Sequence, residues 1–374
     1  MAGIYIHIPY CKQACVYCDF HFSTTHKNKA SLIQCINKEL KMRKTVLVGE
    51  IIETIYFGGG TPSICSISEL RSIIDTIYNE FSVSETVEIT LEANPDDLST
   101  EKLSELKSKG VHRLSIGIQS FFEDDLKWMH RAHTSSEAKR CLNDAIALGF
   151  AEINADLIFA SPGLTDEKLI QNLTILTDFG IPHLSCYNLT IEERTQLHHQ
   201  VKTQQITPIS DETAIRQFYL IREFLQSKGY EHYEISNYAK PGAYSRHNTA
   251  YWQGKKYLGV GPSAHSYDGN TRSWNIRNNE NYIKQLIKDE WPGEVEILTP
   301  GNRYNEYLLT GLRTQWGIQL TILESEFSNE YQSQKTIFEL YLKDQKLLLR
   351  GNQLVINPDY LIMADSIASE LFII

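Results

Sequence analysis

Long apolar runs are missing from this sequence of 374 residues. A membrane-spanning helix needs about 20 consecutive apolar residues, and no stretch of the chain approaches that length. The first residues also lack the charged, apolar and small-residue segments of a signal peptide. We therefore expect no transmembrane segment and a cytoplasmic location, which leaves peripheral contact with a membrane open.

Positive charge is scarce as well. The chain has 36 lysines and arginines against 46 aspartates and glutamates, and its formal net charge is −10. Because non-specific binding to nucleic acid depends on a basic surface, this balance argues against nucleic acid as a partner. It does not exclude a local basic patch for a ligand that carries carboxylates.

A second group of cysteines is also missing. Of the seven cysteines, Cys11, Cys15 and Cys18 crowd into one short stretch, and the other four are scattered. An odd count of this kind favours a reducing compartment over a disulfide framework. Structural zinc sites usually take two separated cysteine pairs. Zinc therefore stays an alternative only with a fourth ligand such as His7 or His21.

Short apolar segments alternate with amphipathic ones over residues 3–190. The predicted strands are Gly3–Ile8, Thr54–Phe57, Glu88–Leu91, Arg113–Gly117, Glu152–Phe159 and His183–Leu189. The predicted helices begin near Lys29, Ser66, Ser99, Ser135 and Thr165, and Ser66, Ser99 and Thr165 are predicted as N-caps. This alternation predicts an α/β fold with a mostly parallel sheet and outer helices. Six strands can form an open doubly wound sheet or a partial barrel, and periodicity alone does not separate the two.

The pattern changes after a predicted helix over Asp211–Lys228. Residues 237–269 are rich in glycine, aromatic residues and histidine. The later predicted elements are helices over Tyr304–Arg313 and near Ser333–Asp344, a strand pair around Leu347–Ile356, and a last helix from about Pro358. They indicate a smaller α+β, winged-helix-like C-terminal domain. We predict three parts: a core over 1–235, a ligand-binding segment over 236–280 and the C-terminal domain over 281–374.

The densest chemical signal is the stretch Tyr5–Asp19, YIHIPYCKQACVYCD. Three thiolates this close can hold one iron–sulfur cluster. On a four-iron cluster they leave one iron free to bind a cofactor or substrate. The spacing of the cysteines, with Tyr17 before the last, resembles the cluster loop of the radical S-adenosylmethionine (SAM) superfamily.

That resemblance implies a [4Fe-4S] cluster whose open iron is chelated by SAM, and an electron from the cluster that cleaves SAM to a 5′-deoxyadenosyl radical. It also implies a partial (β/α)6 TIM-like barrel. Ligand sites of such folds lie at the carboxyl ends of the strands. Polar or glycine-rich residues follow each predicted strand here, as in Gly58–Thr61, so we expect them to line one pocket.

Further motifs narrow the resemblance. YIHIPYC, FGGGTPS, LEANP, SIGIQSF and DLIFASPG together resemble the family of oxygen-independent coproporphyrinogen III dehydrogenase and its relatives, from residue 5 to about residue 270. Each residue taken singly also has an ordinary structural role. The resemblance implies Cys11, Cys15 and Cys18 as cluster ligands. It implies SAM contacts at Tyr5, Tyr17, Gly59, Gly60, Thr61, Glu92, Gln119, Arg131, Asp156 and, as a looser match, Thr190.

Two departures from the dehydrogenase bear on function. The enzyme has a fourth cysteine two residues after the third, where this chain has Phe20. It also has a long arm before the cluster loop, whereas Cys11 comes early here. Both features are typical of the haem-chaperone branch of the family. That branch carries an HNxxYW signature tied to haem binding, which matches His247, Asn248, Tyr251 and Trp252.

The signature fits haem chemically, because imidazole ligates haem iron and aromatic side chains pack on a porphyrin face. The alternative is a core cluster in which His247 bonds to a backbone carbonyl. His265, within GVGPSAH, is a second candidate axial ligand. Arg246 and Arg272 are candidates for the haem propionates.

We therefore predict a radical SAM-type haem chaperone that binds a [4Fe-4S] cluster, SAM and haem, and passes haem to an acceptor protein. The sequence does not identify the acceptor or the electron donor. The main alternative is an enzyme that decarboxylates coproporphyrinogen III oxidatively. A structural zinc protein or a nucleic-acid-modifying protein is a more distant alternative.

Overall fold

The computed structural model describes residues 2–373. Its strands are β1 Ala2–Ile8, β2 Ile52–Gly59, β3 Val83–Ala93, β4 Arg113–Gln119, β5 Glu152–Phe159, β6 His183–Asn188, β7 Glu231–Glu234, β8 Asn237–Ala239, β9 Lys256–Val260, β10 His265–Tyr267, β11 Thr271–Asn275, β12 Gly293–Ile297, β13 Ile318–Gln319, β14 Leu347–Arg350 and β15 Gln353–Ile356. Each of the six strands predicted in the first half lies within or overlaps one of β1–β6.

The helices follow the predicted alternation. They are α1 Lys29–Met42, α2 Ile67–Glu80, α3 Thr100–Ser108, α4 Glu123–Trp128, α5 Ser135–Ala147, α6 Asp166–Asp178, α7 Gln196–Lys202, α8 Asp211–Ser227, α9 Arg246–Trp252, α10 Asn279–Ile287, α11 Pro300–Leu312, α12 Leu320–Ser325, α13 Ser328–Lys343 and α14 Ala364–Glu370. Short 3-10 turns cover Lys44–Leu47, Pro62–Ile64, Pro95–Asp97 and Pro358–Met363. No described helix is long and apolar enough to cross a membrane.

Predicted caps start three of these helices. The side-chain oxygens of Ser66, Ser99 and Thr165 each accept a hydrogen bond from a backbone N–H in the first turn. Such a cap satisfies a donor that has no partner within the helix and stabilises the helix by about 1 kcal/mol. The three N-cap predictions are confirmed.

The sheet is a partial barrel rather than a doubly wound sheet. Strands β1 to β6 are neighbours in chain order and all parallel. Because the order never reverses, right-handed connections place the helices on one face. The edges do not meet each other: β9 continues in parallel beside β1, and β8 runs antiparallel beside β6. The parallel sheet is therefore open, within a sheet of 12 strands.

The two faces of this sheet differ in chemistry. The outer face is apolar and packs on the helices, as Ile4, Ile6 and Ile8 of β1 do. The inner face carries polar and aromatic side chains, because side chains alternate between the faces of a strand. These inner residues include Tyr5, His7, Glu88, Glu92, Ser115, Asn154, Asp156, His183 and Ser185.

The C-terminal residues have their own core. Leu308, Leu312, Phe338, Leu354 and Ile367 pack together in a cluster separate from the main one. The element order α11, β13, α12, α13, β14, β15 and a three-stranded antiparallel sheet are those of a winged helix. The winged-helix-like prediction is confirmed. The boundaries after residues 235 and 280 stay predictions.

Candidate functional site

The predicted cluster ligands lie in the loop that follows β1. All three cysteines are free and partly exposed. The Thr61 hydroxyl lies 3.4 Å from the Cys11 sulfur, and an Arg131 guanidinium nitrogen lies 3.3 Å from the Cys15 sulfur. Burial raises the pKa of Cys11 to about 11 and that of Cys18 to about 12. A metal must therefore displace a proton from each of these two thiols to bind there.

The three cysteines do not converge on a single-ion site among the described residues. No three His, Cys, Asp or Glu side chains of residues 2–373 are gathered closely enough to hold one metal ion. A zinc ion needs its ligands about 2.3 Å from one centre. A four-iron cluster takes each thiolate on a different iron, so it accepts a wider spacing of the sulfurs.

The glycine turn at the end of β2 is hydrogen-bonded to the end of β1 and the start of this loop. The Gly60 N–H donates to the Ile8 carbonyl at 2.9 Å, and the Thr61 N–H donates to the Tyr10 carbonyl at 2.7 Å. A Cβ on Gly60 would lie 2.7 Å from the Tyr10 carbonyl oxygen. The predicted Gly59, Gly60 and Thr61 therefore lie directly beside the start of the cysteine loop, and Gly60 allows this close approach.

Glu92 ends its strand beside the same turn. Its carboxylate accepts hydrogen bonds from the Tyr56 hydroxyl at 2.8 Å and the Gly59 N–H at 3.1 Å. Burial raises the pKa of Glu92 to about 7, and the nearby Asp156 acts in the same direction. This carboxyl group can exchange a proton near neutral pH, and it faces the interior of the barrel.

Arg131 connects the cysteine loop to the middle of the sheet. One guanidinium nitrogen donates to Asn94 Oδ1 at 2.7 Å and to the Gly117 carbonyl at 2.8 Å. Tyr17 interacts with the same guanidinium. The remaining nitrogen, Nε, is buried without a partner among the described residues. Arg131 thus orients a predicted cluster ligand and keeps one donor unused.

Gln119 is strained at the end of β4. Its φ is 65°, and its side-chain oxygen is buried without a partner in the described part of the chain. A non-glycine residue in this region costs energy, and such strain is frequently found at ligand sites. Gln119 and Arg131 thus keep one unused buried acceptor and one unused buried donor, which a polar ligand could bind.

Asp156 and Thr190 are two further predicted SAM contacts. Asp156 accepts from Asn154 Nδ2 at 2.7 Å inside the barrel, and burial raises its pKa to about 6. Thr190 is exposed in the segment beyond β6. The structure therefore places Asp156 with the barrel interior and Thr190 at its outer rim.

His247 lies over the barrel rather than in the core. Its Nδ1 is 2.9 Å from the Thr54 hydroxyl, and its ring stacks on Tyr56 with centroids 4.9 Å apart. Burial lowers the pKa of His247 to about 4, so the ring is neutral. No group in residues 2–373 forms a hydrogen bond with His247 Nε2. None of the residues of α9 is fully buried. The backbone carbonyl that the alternative interpretation assigned to His247 is not its partner in the described part of the chain, where the Thr54 hydroxyl takes that place.

The predicted haem residues share one cavity of about 790 Å³ with two of the predicted SAM residues, Tyr5 and Glu92. The three cysteines and the other predicted SAM residues are not among the residues that line it. Tyr5 and Glu92 contribute from the strands, and Asn248, Tyr251 and Trp252 contribute from α9. His247 and His265 also line it, and the ring of His265 packs near Trp274 with centroids 6.1 Å apart. Phe20, which replaces the fourth cysteine of the dehydrogenase, is exposed over 68% of its surface and also lines this cavity.

Several site residues were not predicted from the sequence. Tyr56 bonds to Glu92, Thr54 bonds to His247, and Glu88 accepts hydrogen bonds from the first two backbone N–H groups of α9. Polar residues at every second position of β2 and β3 carried this signal, because they mark a polar inner face.

Comparison with known proteins agrees with this arrangement. Residues 5–176 match the model of the Radical SAM superfamily. The heme chaperone HemW of Mycobacterium tuberculosis is 30% identical over 374 residues, which cover 99% of this chain and 94% of the relative. HemW of Bacillus subtilis is 31% identical over 348 residues, which cover 92% and 91%.

Coproporphyrinogen III oxidase of Escherichia coli has the same fold, with a TM-score of 0.85 and 19% identity over 99% of this chain and 90% of that one. An open six-stranded barrel with three cysteines after its first strand defines a radical SAM protein. Within that class, the chain belongs to the HemW family.

Proposed function

We propose that this protein is a haem chaperone that holds a [4Fe-4S] cluster, SAM and haem and delivers the haem to an acceptor protein. The main support is one cavity that is lined by Tyr5 and Glu92 of the predicted SAM site and by the four signature residues of the HNxxYW helix. Its volume of about 790 Å³ lies within the usual range of cofactor sites, about 300–1,000 Å³. The names of the relatives favour the same function.

Cys11, Cys15 and Cys18 would ligate the cluster, which supplies an electron when bound. Thr61 and Arg131 contact two of the sulfurs, and a donor at each would favour the thiolate. Glu92, Gln119 and the glycine turn would bind the polar groups of SAM. The free thiols also favour a reducing compartment, and we propose the cytoplasm.

His247 would bind the haem iron through Nε2. Its Nδ1 contact with Thr54 fixes the ring, as a second hydrogen-bond partner does for most metal-binding histidines. Tyr251 and Trp252 would pack against the macrocycle. An acceptor protein then takes the haem through the open side of the cavity.

Anaerobic reconstitution with iron and sulfide tests the cluster. The wild type should take up about four irons per chain and gain the broad visible absorption of a cluster, and Cys15→Ser should lose most of both. Cys35→Ser is the matched control, because Cys35 lies in α1 outside the loop. A Cys15→Ser protein with a normal cluster spectrum would contradict the assignment.

Haem titration of the reconstituted protein tests the function. We expect a haem-dependent Soret band and transfer of the haem to an apo haem protein. Coproporphyrinogen III with SAM and a reductant tests the enzymatic alternative. Decarboxylated product without any Soret band would replace the chaperone function by that of an oxidase.

A further inference from the structure

Positive charge is limited at the wall of the large cavity. Arg272, Arg277 and Arg313 line it, and no lysine of the described chain does. Arg272 forms an ion pair with Glu306. Arg313 pairs with Asp365 at 2.6 Å and with Glu234 at 3.4 Å. Two of the three arginines are therefore already neutralised by carboxylates of the protein.

Arg277 is different. It follows β11, is exposed, and donates to the backbone carbonyl of Asp19. No carboxylate in residues 2–373 forms an ion pair with it. Asp19 also lines the cavity, but Arg277 contacts its backbone carbonyl and not its carboxylate. The nearby His7 and His21 add no positive charge at neutral pH, because burial lowers the pKa of both.

Arg246 and Arg272, which the sequence suggested as partners of the haem propionates, are less suited than Arg277 to bind a ligand carboxylate. Arg246 donates to the Thr86 carbonyl at 2.6 Å, and it does not line the cavity. Arg272 would have to exchange Glu306 for a ligand carboxylate. Arg277 gives up no ion pair, so the gain from a charge-assisted, two-pronged bond to a carboxylate is not offset by a lost one.

We propose that Arg277 is the specificity-determining anchor for a carboxylate of the ligand, and that the carboxylate edge of the ligand lies at the cysteine loop. The inference rests on the proposed function, in which the ligand is haem and the carboxylates are its propionates. The contact with Asp19, next to Cys18, fixes the place: the bound edge lies beside Phe20 and His21.

A double-mutant cycle between protein and ligand tests this. Haem and haem dimethyl ester are titrated into reconstituted wild type, Arg277→Gln, Arg277→Lys and Arg350→Gln. Arg350 is the matched control, because it is an exposed arginine of β14 away from the cavity. Circular dichroism and iron content establish that each variant is folded and loaded.

Esterification should weaken binding to the wild type and to Arg350→Gln by about tenfold, the value of one lost charge-assisted bond. It should leave binding to Arg277→Gln almost unchanged. The loss of affinity in Arg277→Lys should be intermediate, because lysine keeps the positive charge but cannot form the two parallel hydrogen bonds of a guanidinium. An equal loss on esterification in Arg277→Gln and wild type overturns the proposal. If the wild type binds neither haem nor haem dimethyl ester, the proposed function is overturned instead.

Discussion

The guanidinium of Arg313 lies 5.0 Å from the centre of the Trp252 ring. Trp252 is the last residue of α9 and of the HNxxYW signature, whereas Arg313 directly follows α11 in the C-terminal part. The same guanidinium pairs with Glu234 at the end of β7 and with Asp365 of α14. The C-terminal part therefore supports one wall of the cavity.

Arg313→Gln should destabilise the protein by about 2 kcal/mol, because Glu234 is only 2% exposed and loses its charged partner. It should also change the tryptophan fluorescence, since the cation over the Trp252 ring is lost. Arg216→Gln breaks an exposed pair with Asp166 and should cost less than about 1 kcal/mol. Equal unfolding midpoints in urea for the two variants would argue against a supporting role of Arg313.

Gly59→Ala should reduce SAM binding more than stability alone explains. Gly59 has φ 106°, and a Cβ there would lie 2.6 Å from the buried His7 ring. The N–H of Gly59 itself donates to the Glu92 carboxylate, so a shift of this residue would disturb the predicted SAM site. Gly163→Ala is the control, because its φ is 81° with nothing within 4 Å of the added Cβ. Both changes should cost about 1 kcal/mol or more from the positive φ. Calorimetry with SAM should show weaker binding in Gly59→Ala only.

The parallel core could be predicted because its signals are local. Glu152–Phe159 was predicted with the bounds that β5 has, and Ser66, Ser99 and Thr165 cap the helices they were expected to cap. Each of these features depends on residues within one turn or one strand. The partial barrel needed the family resemblance, because strand order is a property of the whole chain.

The rest of the site depends on contacts between distant residues. Strand β9 pairs with β1 although more than two hundred positions separate them, and α9 depends on Glu88 for its backbone partners. Whether Arg246, Arg272 or Arg277 keeps a free charge is decided by which carboxylates fold next to each. Residue type alone does not carry that information.

Stability should depend on the ionisation of Glu92. Burial raises its pKa from 4.5 to about 7, so the folded protein keeps a proton that the unfolded chain has already lost. The stability due to this proton is complete below the unfolded pKa and is lost as the pH rises towards about 7. Glu92→Gln should remove this loss, because it cannot ionise.

Urea unfolding of wild type and Glu92→Gln between about pH 5 and pH 8 measures the effect. The free energy of unfolding of the variant should gain on that of the wild type as the pH rises. Titrating groups that do not interact with Glu92 are present in both proteins and cancel. A difference between the two proteins that stays constant with pH would contradict the raised pKa.

His247→Ala should weaken haem binding by about tenfold or more and shift the Soret band, because the neutral Nε2 is the proposed iron ligand. His265→Ala tests the second candidate ligand, whose exposed ring lines the same cavity, and should leave the spectrum unchanged if His247 is the ligand. Thr54→Val removes the hydroxyl that fixes Nδ1. It should give a smaller loss with the same band position, since the ligand is kept but held less firmly.

The pH dependence separates iron ligation by His247 from packing alone. Burial lowers the pKa of His247 to about 4, so its ring stays neutral through the physiological range and is protonated only as the pH falls towards that value. The wild-type Soret position should therefore be constant from about pH 8 down to about pH 5 and should change below it. If His265→Ala rather than His247→Ala shifts the Soret band, the iron ligand is on β10 and α9 serves only to pack the macrocycle.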